Sequence, residues 1–186
     1  LYVSTTDVVP HKHAPDTPRA RRWVESLDAG LAALAERAGS VAVTADHGMN
    51  GKTHCVDLDA AIAAAGRDGE VVRLIRDRHT YHHRNLGGAA YVYGEGDWSW
   101  LGDLDGVETV LTREAAAERF ALPADRIGDA MVLGTADAVF GPTDEDGGLH
   151  ARVDLRSHGS HHEHRVPYAT TGGAMTHNYD AWASLV

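Results

Sequence analysis

The chain has 186 residues, 43% hydrophobic and 24% charged, with 20 Gly and 6 Pro, which fits one globular domain and excludes a disordered or collagenous chain. At this size roughly 70% of the unfolded surface can be buried without disulfide staples, and Cys55, the only cysteine, excludes an intramolecular disulfide and a cysteine-based zinc ribbon. The net charge of −10 argues against nucleic-acid binding by phosphate neutralisation, and no apolar run reaches the length of a membrane span.

The chain opens without a Met in Leu1 to Thr6, a run of β-formers that reads as a short strand ending at Asp7. This abrupt start reads as a cut from something longer. No signal peptide begins it; the start of the sequence does not give the location, and a cytoplasmic one is the expectation. Thr17 as N-cap and Pro18 at the first helical position open a helix. Trp23, Leu27, Leu31 and Leu34 form one apolar stripe, and Gly39 follows as the stop, so the helix is expected over about 18–38. Ser40 to Ala45 is small and β-branched, as suits a buried strand of a parallel sheet. Strand, helix and strand make a βαβ unit with a right-handed crossover. That geometry brings Asp7 and Asp46-His47 to the carboxyl edge of the sheet, where open α/β folds build their sites.

From Gly48 to Ser157 the elements shorten, which suggests a smaller α+β insertion. Helices are expected at Leu58 to Ala65 and Arg113 to Phe120, and strands at Val71 to Ile75 and Ala89 to Tyr93. Ala130 to Leu133 and Ala138 to Phe140 read as a hairpin or two neighbouring strands. Arg165 to Thr171 reads as one more core strand. The expected organisation is therefore a metal-binding α/β core from 1–47 and 156–186, with 48–155 inserted.

The most unusual feature is 13 His in an acidic protein. Imidazole with carboxylate suits zinc or a similar divalent ion, and three protein ligands with one open position is the pattern of a catalytic zinc. Asp7, His11 and His158 can supply such a set. Asp46 and His47 are adjacent, so they converge on one ion only if their strand has ended, and Gly48 permits the turn. Taken singly, an Asp or His at a strand end also serves as a cap or a solvated residue. Ser160 to His164 reads as an exposed loop. His13, His54, His82, His83, His150 and His177 read as surface or hydrogen-bonded histidines, and Lys52 as a solvated loop lysine. Arg156 reads as a surface partner for carboxylates; Lys52, Arg156, His82 and His83 are the candidates for substrate contact.

The run Ser4-Thr5-Thr6-Asp7-Val8-Val9-Pro10-His11-Lys12-His13-Ala14-Pro15, then Thr44-Ala45-Asp46-His47-Gly48-Met49-Asn50, then Arg156-Ser157-His158-Gly159 resembles the C-terminal half of the phosphonoacetate hydrolase family. That family is a branch of the alkaline phosphatase superfamily. The resemblance implies a partial alkaline phosphatase-like fold with a parallel-sheet core. It implies Asp7, His11 and His158 as ligands of one zinc, and Asp46 and His47 as two ligands of a second, with Mn or Fe as alternatives. It also implies a small anionic phosphonate as substrate, with in-line attack on phosphorus by a threonine and release of acetate and phosphate. The family's threonine nucleophile and the Asp that completes the second metal site match no residue in this sequence, so the chain by itself is expected to be catalytically silent. Two rivals remain open: another phosphodiesterase or nucleotide pyrophosphatase of the superfamily, and a non-catalytic metal-binding module.

Overall fold

The computed structural model describes residues 7–76, 84–143 and 148–185. In chain order the regular elements begin with α1 (Val8–Lys12), α2 (Pro18–Ala35), β1 (Ala42–Thr44), β2 (Asn50–Val56), α3 (Leu58–Ala64), β3 (Glu70–Arg73) and β4 (Ala89–Tyr93). They continue with β5 (Val107–Thr112), α4 (Arg113–Phe120), β6 (Ala130–Gly134), β7 (Ala138–Phe140), β8 (His150–Ser157) and β9 (Tyr168–Thr170). The fold is α/β with mixed sheets, and the chain forms two compact units, Leu1–Met49 with Glu163–Val186, and Asn50–His162. No helix among the described residues is long and apolar enough to cross a membrane.

In the first unit α2 begins as its sequence dictates: Thr17 is extended, its hydroxyl accepts from the Ala20 amide at 3.3 Å, and Pro18 follows. The regular helix ends at Ala35, three residues before the expected stop. There the ladder mixes bond types: Arg37 N donates to Leu34 O at 3.0 Å, an i to i+3 bond, and Ala38 N is shared between Leu34 O at 3.1 Å and Ala35 O at 3.3 Å. Trp23, Leu27 and Leu31 are half-buried and Leu34 is exposed.

The segment expected as a buried strand of a parallel sheet is instead the half-buried β1, paired antiparallel with β9 through Ala42↔Thr170, Val43↔Ala169 and Thr44↔Tyr168. A short run of small and β-branched residues serves either pairing direction, so composition alone does not choose the partner. The β9 strand lies within the expected 165–171 stretch but is largely exposed rather than core. The expected strand at Leu1 to Thr6 lies outside the described residues.

The second unit holds a four-stranded antiparallel sheet, in the order β3-β4-β6-β5, and a three-stranded sheet, β7-β2-β8, in which β2 runs parallel to β7 and antiparallel to β8. Every residue of β6 is buried. Ala130 and Val132 pack in one cluster with Val56, Ile62, Val92, Leu101 and Phe140, while Met131 and Leu133 pack in another with Ala116 and Ile127. Alternate side chains point to opposite faces of a strand, so β6 is apolar throughout because both faces are covered.

Both expected strands form, β6 and β7, but of the two expected arrangements the hairpin is not the one seen; the two strands belong to different sheets. Between them Gly134 donates to Gly88 O at 2.9 Å and Thr135 to Gly106 O at 3.0 Å, and the Ala138 amide closes a turn on Thr135 O at 3.0 Å. These bonds carry the chain from one sheet to the next.

Asp57 ties α3 to the segment after β7. One carboxylate oxygen accepts from the Ala60 amide at 2.9 Å, as an N-cap, and the other from the Thr143 amide at 3.3 Å. Replacing Asp57 by Ala leaves both donors without that acceptor. It is expected to cost about 1–2 kcal/mol, read as a lowered urea midpoint with unchanged slope.

Candidate metal centre

Asp7 stands immediately before α1, and His11 follows at i+4, the spacing that puts two side chains on one helical face. The His11 Nε2 lies 3.4 Å from Asp7 Oδ1, with side chains 0% and 35% exposed respectively. The Asp7 carboxylate does not cap the helix. A dry imidazole against a carboxylate can serve as an ion pair or as two neighbouring ligands of one cation.

Asp46 and His47 come after β1 has ended at Thr44, so strand alternation does not force them apart. Asp46 Oδ1 accepts from the His47 amide at 3.0 Å and lies 3.8 Å from His47 Nε2. His47 Nδ1 is 2.9 Å from the Gly48 carbonyl. A carbonyl can only accept, so Nδ1 donates, and in the neutral ring the lone pair is then on Nε2, as a ligating imidazole requires. Gly48 serves by close approach rather than by an unusual backbone: a Cβ there would lie 3.2 Å from Glu163 O, which also accepts the Gly48 amide at 2.7 Å.

His158 belongs to the second unit, directly after β8, and is half-buried. Its backbone is held on both sides. The Ser157 hydroxyl, fully buried, donates to Leu86 O at 2.5 Å, and the Gly88 amide donates to His158 O at 3.0 Å. Gly159 then turns the chain at φ +97°, a conformation that favours glycine.

Lys52 departs from the expected solvated loop lysine. It sits in β2 opposite Leu155 with 1% of its surface exposed, and its ammonium donates to Ala136 O at 2.8 Å. A buried ammonium needs such an acceptor, and this one is supplied from 84 residues further along the chain. Arg156 is half-buried in β8, opposite Gly51. His82 and His83 lie outside the described residues. His54 and His150 meet at 2.9 Å between ring nitrogens, and His177 sits 3.6 Å from Asp180.

The Ser160 to His164 segment also departs from the expected exposed loop. His161–Glu163 forms a 3-10 turn with Glu163 buried, and both imidazoles reach the Glu108 carboxylate on β5. His162 Nε2 is 2.5 Å from Oε2 and His161 Nε2 is 3.3 Å from Oε1. Burial acts to raise the Glu108 carboxyl, but the His162 hydrogen bond and the charges of both histidines together hold it below the ordinary value. The His-His pair was the only signal available in the sequence; its carboxylate partner lies more than fifty residues upstream.

A sequence model of the type I phosphodiesterase / nucleotide pyrophosphatase family matches residues 1–164. Among solved structures, the chain is similar to phosphonoacetate hydrolase from Sinorhizobium meliloti 1021 in complex with phosphonoformate. The TM-score is 0.79 at 33% identity, over 94% of this chain and 48% of that one. The same enzyme in complex with phosphonoacetate gives 0.77 at 33% identity, over 92% and 47%. Murine ectonucleotide pyrophosphatase / phosphodiesterase 5 shares the fold, with a TM-score of 0.55 at 18% identity over 90% and 45%. The chain thus spans about half the length of the solved structures it matches. It carries part of the alkaline phosphatase-like fold and belongs to the type I phosphodiesterase / nucleotide pyrophosphatase family of hydrolases.

Proposed function

We propose that this chain is the ligand-bearing half of a metal-dependent hydrolase that splits the carbon–phosphorus bond of phosphonoacetate. Water supplies hydroxyl to phosphorus and a proton to the methylene carbon, giving phosphate and acetate. The observation that carries this reading is the 33% identity, across 94% of the chain, to an enzyme of that name. The division into a metal-binding core, 1–47 with 156–186, and an inserted α+β segment, 48–155, and a cytoplasmic location are parts of the same proposal.

In this reading Asp7, His11 and His158 hold one divalent ion, and Asp46 and His47 supply two ligands to another. The residues fit such ions: the donors are imidazole and carboxylate, His11 is dry and faces Asp7, and the His47 tautomer presents Nε2. Zinc suits this donor set, and Mn and Fe are alternatives. When bound, such ions stabilise the charge that develops on phosphonate oxygens and on a poor, carbanion-like leaving group. The chain's own work is to hold the ligands. Gly48 O fixes the His47 ring, and the Ser157 and Gly88 bonds fix the strand end that carries His158. No residue matches a threonine nucleophile, so the isolated chain releases no phosphate from phosphonoacetate.

The family description favours a second reading, hydrolysis of a phosphodiester or a nucleotide pyrophosphate. Competition between phosphonoacetate and a nucleotide diester, on the polypeptide that joins this chain to the rest of the fold, separates the two. Preferential release of phosphate from phosphonoacetate is expected; preference for the diester overturns the first reading. Metal uptake with no turnover of either substrate points instead to a non-catalytic metal-binding module.

A further inference from the structure

We propose that Glu108, His161 and His162 form a separate His2Glu site for a divalent d-block cation such as Zn2+, with a fourth position open to solvent or to an exogenous ligand. None of the five ligands assigned above takes part, so this site stands or falls independently of the proposed function.

The geometry is specific. One ligand atom from each residue lies within 4.8 Å of the others, with Nε2 of both imidazoles turned to the two oxygens of a single carboxylate. A cation about 2.0–2.2 Å from each donor fits among them with side-chain shifts of about an ångström. His161 and His162 are neighbours in a 3-10 turn, where successive side chains diverge by about 120°. Here they converge, their ring centroids 4.1 Å apart and their planes at 35°.

Glu108 is aimed as well. The register of β5 on β6 steps from Val107↔Gly134 to Thr109↔Leu133, so Glu108 is the extra residue of a β-bulge. A bulge re-aims a side chain, and this one lies on the edge strand of its sheet. The Ser160 hydroxyl accepts from the His162 amide at 3.3 Å and steadies the turn.

A hydrogen-bonded trio is the simpler alternative, and it fits less well. One carboxylate must then serve two imidazoles whose rings lie tilted at 35° to each other, both with Nε2 turned to it. A cation gives both Nε2 lone pairs and the carboxylate one shared centre. The side chains of His161, His162 and Glu108 are 14%, 28% and 39% exposed, enough for an ion to enter and for a fourth ligand to bind.

The test is Zn2+ titration of the full chain against a chromophoric chelator at neutral pH, for the unaltered protein, for His161→Gln with His162→Gln, and for Glu108→Gln. The double variant is expected to bind one equivalent fewer. Glu108→Gln should weaken that equivalent at least ~10-fold, and Asp7→Asn should leave it in place. Cu2+ loaded at this site should show nitrogen hyperfine structure that disappears in the double variant. Unchanged stoichiometry and affinity in both sets of variants overturn the proposal. If circular dichroism shows that the double variant does not fold, Glu108→Gln decides alone, and unchanged affinity there is sufficient to reject the site.

Discussion

Replacing His158 by Ala, in the polypeptide that carries both halves of the fold, is expected to cut phosphonoacetate turnover by more than ~100-fold and to remove about one bound metal ion. The reasoning is one of number. In the proposed site each ion has few protein ligands, and even partners that only orient a ligand change metal affinity by about 10–100-fold. The substitution spares the local backbone, because the Gly88 amide bonds the His158 carbonyl and the neighbouring clamp uses Ser157. His164→Ala, at an exposed position six residues on, is the control and should leave turnover and metal content unchanged. Metal content by mass spectrometry together with phosphate release reads both effects. Unaltered zinc stoichiometry and rate in His158→Ala would remove this residue from the site.

Phe140→Ala is expected to destabilise the second unit by about 3–5 kcal/mol, the usual cost of emptying a core phenylalanine site. Phe140 is fully buried and packs with Val56, Leu58, Ile62, Val92 and Val132, so its cluster joins β7 to β2, α3, β4 and β6. Its backbone amide also donates to Gly87 O at 2.9 Å, and that bond survives the change. The loss therefore reports packing alone. Against a typical total of about 5–15 kcal/mol it is large, and chemical denaturation should show it directly. Phe140→Leu, which keeps most of the volume, should cost much less. Equal losses for the two variants would mean that the ring does not fill this space.

Local signals proved readable where one residue carries them. Thr17-Pro18 started α2, and α4 and β4 occupy the expected Arg113–Phe120 and Ala89–Tyr93. The end of α4 is made by Ala121 in the left-handed conformation at φ +53° rather than by a glycine, so no glycine in the sequence marked it. What could not be read depends on partners far along the chain. The antiparallel pairing of β1 rests on residues 168–170, and the separation of β6 from β7 rests on carbonyls of Gly88 and Gly106. Lys52 looked solvated because nothing adjacent in sequence revealed the carbonyl of Ala136. The site residues followed a similar rule. Asp7 with His11 and Asp46 with His47 are short-range pairs that the sequence displays, whereas the convergence of His161 and His162 on Glu108 appears only once a strand and a distant turn are folded.

The central claim is hydrolysis of phosphonoacetate by the polypeptide that includes this chain, with divalent metal required. Phosphate release is measured on the protein as prepared, after stripping with EDTA, and after refilling with zinc. The account predicts release that is lost on stripping and restored by zinc. No phosphate from phosphonoacetate in any of the three states would contradict it, and would leave the family membership without this reaction.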